Sequence, residues 1–142
     1  MTNMSELFKG HGQHDEMEDR FRGKDLFNDD ISRWDVSKVT NMKGVLSRAR
    51  AFNQVVGDWD VSNVTDMSLI FDGARSFNLP IGDWNVSKVT DMYSMFAHAR
   101  SFNQPIGNWN VSKVNNMSHM FSRAHAFNQD LTRWDIRSVR IR

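Results

Sequence analysis

Few side chains in this sequence have the type and spacing that chemistry requires. The segment G-H-G-Q-H-D-E brings together donor atoms suited to a metal ion, on His11, His14, Asp15 and Glu16. Their spacing matches no established zinc motif, so we interpret the segment as a polar terminal stretch. The sequence contains no phosphate-binding loop, no G-x-S-x-G elbow and no cysteine. It therefore predicts no enzyme activity, no metal site and no cofactor.

A second group of polar side chains recurs at a fixed interval and is the candidate surface for binding a partner. Its members are Asp35, Ser37, Asp60, Ser62, Asn85, Ser87, Asn110, Ser112 and Asp135. In stacked copies, Asp35 and Asp60 would lie about 5 Å apart, where two carboxylates raise each other's pKa. A glycosidase-like pair is one interpretation of that arrangement. Simple repetition of a structural unit explains it with fewer assumptions, so we favour binding over catalysis.

The same interval governs the aromatic residues. Tryptophan and phenylalanine each recur every 25 residues, at Trp34, Trp59, Trp84, Trp109 and Trp134 and at Phe27, Phe52, Phe77, Phe102 and Phe127. Self-similarity at this period indicates a repeat protein whose units bury their apolar faces against one another. We therefore divide the chain into an N-terminal capping or flexible segment, residues 1–26, and a repeat domain, residues 27–142.

Each repeat contains two apolar patterns. In I-x-x-W-x-V-x-x-V, alternation places Trp84 and Val86 on the inner side of a short strand. The next apolar residues follow i, i+3, i+4 and i+7 spacing, which predicts one face of a helix, and in the third repeat they are Met92, Met95, Phe96 and Ala99. The sequence therefore predicts an α/β repeat fold, a right-handed leucine-rich-repeat-like solenoid with one short parallel strand and one helix per 25-residue coil, in all five strand units and four helices.

Two further columns have structural interpretations. An asparagine follows each phenylalanine of the repeat, at Asn28, Asn53, Asn78, Asn103 and Asn128. We expect these amides to form a buried ladder that satisfies backbone groups, because a buried polar side chain must be hydrogen-bonded. The tryptophan column suits a core spine, in which each indole N–H still needs an acceptor.

Composition and charge narrow the class of protein. The chain is 39% hydrophobic and 25% charged, which is typical of a folded domain and argues against disorder. No apolar stretch approaches the length of a membrane span, so we expect no membrane insertion.

Basic residues gather on the predicted outer helix face, at Arg48, Arg50, Arg75, His98, Arg100, Arg123 and His125. We interpret them as a solvated surface, with binding of nucleic acid or another anionic polymer as the alternative; nucleic acid is disfavoured because Tyr93 is the only aromatic residue there.

The repeat unit N-x-x-I-x-x-W-N/D-V-S-x-V-T-D/N-M-x-x-M-F-x-x-A-x-x-F-N resembles that of the BspA-like leucine-rich-repeat surface proteins, including mycoplasma lipoproteins. The resemblance covers roughly residues 27–139. It implies a leucine-rich-repeat solenoid, a cell-surface or secreted location, and a role in adhesion or protein binding without catalytic residues. The chain lacks the lipobox cysteine and the signal peptide of such proteins.

We expect a non-enzymatic recognition module that binds a protein or glycan through the strand face. The alternative is a structural scaffold that self-associates, as a homodimer, through its C-terminal end. Ile136, Val139 and Ile141 belong to that end, where no helix follows to cover the last repeat.

Overall fold

The structure is a computed structural model, and it describes residues 25–140. The predicted capping segment lies outside the described residues except for its last two positions, and the H-x-x-H-D-E motif lies outside them entirely. Residues 25–26 are helical. The strand-like pairs are isolated parallel bridges that join Asn41 to Asp66, Asp66 to Asp91, and Asp91 to Asn116. Each bridge links positions 25 residues apart, so consecutive repeats are stacked in register.

The predicted strand and helix of each repeat are both wrong. Within residues 25–140 the structure is 2% helical and 3% strand, which excludes an α/β leucine-rich-repeat solenoid with five strand units and four helices. Each 25-residue repeat is instead a coil of successive turns. In each of these turns a backbone N–H donates to the carbonyl three residues earlier. Val89 N–H donates to the Val86 carbonyl at 2.9 Å, and Trp84 N–H donates to the Ile81 carbonyl at 3.2 Å. The segment predicted to be a strand is thus two consecutive turns.

The segment predicted to be a helix divides its backbone hydrogen bonds between two directions. In the third repeat, Met95, Ala97 and Ala99 donate N–H groups to the carbonyls three residues earlier, at 3.0–3.2 Å. Other N–H groups of the same segment donate to the next coil instead, in the pairs Met92 to Asn116, Ser94 to Ser118, and Phe96 to Met120. A helix would keep all of these bonds within itself. The alternation is what ties each coil to its neighbour.

Left-handed backbone conformations make this path possible. Two positions in each of four coils have φ between 50° and 72°, and they are Gly44, Arg48, Leu69, Gly73, Ser94, His98, His119 and Arg123. A right-handed helix has φ near −63° throughout, so a left-handed residue at every fourth position interrupts it. The chain consequently advances turn by turn, while the apolar residues between these positions still face inward.

The core consists of aligned side chains from successive coils. Trp59, Trp84 and Trp109 stack nearly parallel with ring centroids 6.5 and 6.3 Å apart. The indole N–H of Trp84 donates to the carbonyl of Val56 at 2.9 Å, and three other tryptophans make the equivalent bond. Phe52 and Phe77 stack in a second column, 6.0 Å apart, and both are fully buried. The predicted tryptophan spine and its indole acceptors are therefore confirmed for Trp59, Trp84, Trp109 and Trp134, whereas Trp34 is 40% exposed and lies outside the core.

The asparagine column forms the predicted ladder but not in the predicted environment. The Oδ1 atom of Asn78 accepts the backbone N–H of Asn103 at 2.9 Å, and Asn103 does the same for Asn128 at 2.8 Å. These side chains are exposed or half-buried rather than buried. The ladder therefore joins the coils along an outer edge, and the prediction of a buried ladder is wrong in that respect.

Glycine marks the place where neighbouring coils approach most closely. A Cβ atom on Gly82 would lie 2.7 Å from the carbonyl oxygen of Pro105 in the next coil. Gly57 faces the carbonyl of Pro80 in the same way. Neighbouring coils therefore meet backbone to backbone at these glycines, and a larger residue would force them apart.

Candidate functional site

The polar columns predicted to bind a partner do lie in one line along the stack. We call the nine residues Asp35, Ser37, Asp60, Ser62, Asn85, Ser87, Asn110, Ser112 and Asp135 the Asx face. In every coil the Asp or Asn Oδ1 atom accepts the backbone N–H two residues later. These distances are 3.0 Å for Asp35 to Ser37, Asp60 to Ser62 and Asn85 to Ser87, 3.1 Å for Asn110 to Ser112, and 3.2 Å for Asp135 to Arg137.

This geometry is an Asx-turn, in which a short polar side chain replaces a backbone acceptor. It initiates the turn between Val61 and Val64, whose N–H to carbonyl distance is 3.0 Å. Aspartate and asparagine perform this task equally well, which explains why both occur in the column. The side chains therefore have a structural role that the sequence interpretation missed, although D-V-S followed by a valine is a recognisable turn signal.

The electrostatics of the Asx face differ from the prediction. The Ser62 hydroxyl, and then the Ser62 backbone N–H, lower the pKa of Asp60, and the opposing effect of the Asp35 charge is smaller. Asp35 has a lowered pKa through the same contacts from Ser37. The Arg137 side chain is the main cause that lowers the pKa of Asp135 to about 2. The predicted mutual elevation of pKa values is wrong, and these carboxylates are anionic at neutral pH.

The outer surface beside this face is mixed in charge. Asp35, Asp60, Asn85 and Asn110 are exposed, whereas their serine neighbours are half-buried. A column of lysines missed by the sequence interpretation follows one position later, at Lys38, Lys88 and Lys113. Lys88 Nζ donates to Asn63 Oδ1 at 2.9 Å, and Asn63 donates from Nδ2 to the Ser37 carbonyl at 2.8 Å. The 25-residue recurrence of S-K-V is the signal that would have revealed it.

The candidate self-association end is only partly described. Ile136 is 56% exposed, and Val139 is half-buried. Ile141 lies outside the described residues. Phe121, Phe127 and Trp134 in the same region are partly buried, whereas the equivalent Phe96, Phe102 and Trp109 one coil earlier are buried in the core. The last described coil therefore presents more apolar surface than the coils before it.

The described part of the chain shows neither a metal-binding cluster nor a membrane-spanning helix. Across residues 25–140, no group of three histidine, aspartate or glutamate residues is placed to hold a metal ion. None of the helical structure in the same range is long and apolar enough to cross a bilayer.

Comparison with known proteins identifies a family but adds no characterised relative. One family model matches residues 12–93 and 55–141, and its description is "Mycoplasma protein of unknown function, DUF285". No curated protein and no solved structure matches the chain significantly. The resemblance to BspA-like leucine-rich-repeat proteins is therefore wrong as an assignment, because a different family matches and the coils lack the strand and helix of that repeat. The two matches together span most of the sequence, and the chain belongs to the DUF285 family of mycoplasma proteins of unknown function.

Proposed function

We propose that this protein is a non-enzymatic recognition module that binds a macromolecular partner, a protein or a glycan, through the Asx face. The observation that carries the proposal is the alignment of five Asx side chains in register, one per coil, with their outer atoms open to solvent. In a parallel stack their spacing is about 4.8 Å. A ligand with regularly spaced hydrogen-bond donors fits such a column.

The hydrogen bonds within the face favour binding because they fix the side chains beforehand. Asp60 Oδ1 accepts both the backbone N–H and the hydroxyl of Ser62, so its rotamer is determined in the free protein. A fixed side chain loses little conformational entropy when a partner binds. The second carboxylate oxygen of Asp60 receives no hydrogen bond from the described residues and remains available to a partner.

The protonation state of the same carboxylates supports recognition over catalysis. A general acid needs a pKa near the working pH, and the pKa values of Asp35, Asp60 and Asp135 are all lowered. The carboxylates therefore offer permanent negative charge to a partner. We expect the partner to present lysine or arginine side chains, or hydroxyl donors in the case of a glycan.

A binding screen of the full chain on glycan and protein arrays tests the proposal. We expect specific binders whose signal is lost when Asp35, Asp60 and Asp135 are all replaced by Asn. Asparagine keeps the Asx-turn, as Asn85 and Asn110 demonstrate, so this variant removes charge and preserves the fold. Absence of any specific binder, or full binding by the variant, would contradict the proposal. We extend the proposal to a cell-surface or secreted location for this module.

A second candidate function is self-association through the C-terminal coil. The exposed Ile136 and the partly buried Phe127 and Trp134 support it, because apolar surface of this kind favours contact with a second copy. Sedimentation velocity of the 142-residue chain over a wide concentration range tests this candidate. We expect dimers that dissociate when Ile136 is replaced by Asp, whereas a monomer at every concentration would exclude it.

A further inference from the structure

Two columns of mainly basic residues lie at the end of the segment of each coil that was predicted to be a helix, away from the Asx face in sequence. The first column contains Arg48, Gly73, His98 and Arg123, and the second contains Arg50, Arg75, Arg100 and His125. The sequence predicted them on a helix, and that placement is wrong because no helix forms there. The basic members are nevertheless exposed.

A cleft of about 180 Å³ opens where Gly73 leaves its column without a side chain. Five basic side chains and one carboxylate surround the gap, and they are Arg48, Arg50, Arg75, His98, Arg100 and Asp72. Four arginines and one aspartate therefore lie in the lining, so basic groups outnumber the carboxylate there. A water molecule occupies about 30 Å³, so the cleft has room for a tetrahedral anion.

The described residues neutralise only part of this charge. Asp25 Oδ1 lies 3.4 Å from Arg50 Nε, and Asp72 Oδ1 lies 3.4 Å from His98 Nδ1. Within residues 25–140, Arg75 and Arg100 have no ion pair or side-chain hydrogen bond. Parallel stacking places them about 4.8 Å apart at the backbone, where like charges repel. An anion between them would relieve that repulsion.

We propose that this cleft binds one tetrahedral oxyanion, a phosphate or sulfate group, through the guanidinium groups of Arg75 and Arg100. Planar guanidinium groups donate paired N–H bonds that match such oxygens. Arg48 and Arg50 also line the cleft, and the missing side chain of Gly73 provides the space. The site is independent of the Asx face, since the two share no residue.

Calorimetric titration of the full chain with sodium sulfate and with sodium phosphate tests this site, at ionic strength matched with sodium chloride. We expect saturable binding of one anion per chain. Arg75→Gln and Arg100→Gln should each weaken binding about tenfold or more, the usual loss for one charge-assisted hydrogen bond. Arg123→Gln is the matched control, because it removes the same charge from one of the two basic columns at a position outside the cleft. Equal weakening by Arg123→Gln would overturn the site.

The Gly73→Arg variant distinguishes anion binding in a defined cleft from anion binding by diffuse positive charge. Arginine occupies this column at Arg48 and Arg123 with φ of 63° and 58°, so the backbone path admits it. The substitution adds a charge but fills the space. The proposal predicts loss of anion binding, and stronger or unchanged binding would overturn it. The melting curve verifies folding, and if the variant does not fold, the Arg75 and Arg100 variants decide.

A sulfated disaccharide, titrated in parallel, identifies the source of the anion. Tighter binding than inorganic sulfate, again lost in Gly73→Arg, supports the site with a sugar-borne group as its ligand. Binding equal to inorganic sulfate supports the site with a free anion as its ligand. No saturable binding of any of the three anions would overturn the proposal.

Discussion

The indole N–H of Trp84 donates to the backbone carbonyl of Val56, a residue 28 positions earlier, at 2.9 Å. This bond crosses from one coil to the preceding one, and Trp84 also stacks on Trp59 and Trp109 at 6.5 and 6.3 Å. A single side chain therefore connects three coils. The stability of the stack depends on such contacts between neighbours, because the turns within a coil bury little surface alone.

Replacing Trp84 with Ala should destabilise the protein far more than replacing Trp134. Trp84 is 3% exposed between two tryptophans, whereas Trp134 is only partly buried and, within residues 25–140, stacks on one tryptophan, Trp109. We expect Trp84→Ala to cost about 3–5 kcal/mol, as for other buried aromatics, and Trp134→Ala to cost less. Chemical denaturation of both variants measures the difference. Equal losses would show that stability is not distributed along a stack.

The asparagine ladder should contribute to stability according to position. Asn103 Oδ1 accepts the Asn128 N–H and the Gln129 side chain, at 2.8 and 2.9 Å. Asn103→Ala leaves both donors without this acceptor, which should cost about 1–3 kcal/mol, toward the lower limit because water reaches the site. Asn128→Ala is the control, since no described N–H group donates to its Oδ1. A similar loss of stability in Asn128→Ala would show that the hydrogen bonds of the ladder do not stabilise the fold.

The repeat period, the inward columns and the tryptophan acceptors were predictable from the sequence, whereas the backbone path was not. Met92, Met95, Phe96 and Ala99 are all buried, as the helical spacing predicts. The same spacing is satisfied by successive turns with left-handed residues at Ser94 and His98. Periodicity records which side chains face inward and does not determine how the backbone travels between them.

One signal of the true path was present in the sequence. Gly44 and Gly73 lie in the two left-handed columns, at positions where glycine would destabilise the interior of the predicted helix. Three of the four residues in each column are not glycine, however, and local preference disfavours a left-handed conformation for them. The inter-coil hydrogen bonds overcome that preference, and such non-local bonds cannot be read from one repeat.

At the left-handed positions, a glycine variant should be more stable than an alanine variant, which reverses the usual order of stability. Arg123 has φ 58° and is exposed, so Arg123→Gly should be more stable than Arg123→Ala by about 1 kcal/mol. Lys113 is exposed without a positive φ, and there we expect Lys113→Ala to be the more stable of the pair. Thermal denaturation of the four variants measures both differences. The same order at both sites would contradict the turn-built path.

Acid should destabilise the protein through its Asx-turn carboxylates. The pKa of Asp60 is lowered from 3.8, and that of Asp135 is lowered to about 2. Because these folded-state values lie below those of the unfolded chain, the unfolded chain binds more protons. Stability is therefore fully present above about pH 4 and is lost as the pH falls toward about 2. Melting temperatures across this range measure the effect.

Asp60→Asn should reduce this loss of stability, since the turn is kept and the titrating group is removed. A melting temperature that stays constant or rises on acidification would exclude the carboxylates as acceptors that stabilise the fold.

The most direct test of recognition by the Asx face is a titration of the strongest array ligand against two matched variants. One replaces Asp35, Asp60 and Asp135 with Asn, and the other replaces Asp30, Asp83 and Asp130 with Asn, so both change the net charge equally. We predict that the first variant loses about tenfold or more in affinity, as charged hydrogen bonds are removed, while the second binds like the unmodified protein. Equal affinities for the two variants would contradict the proposed recognition surface.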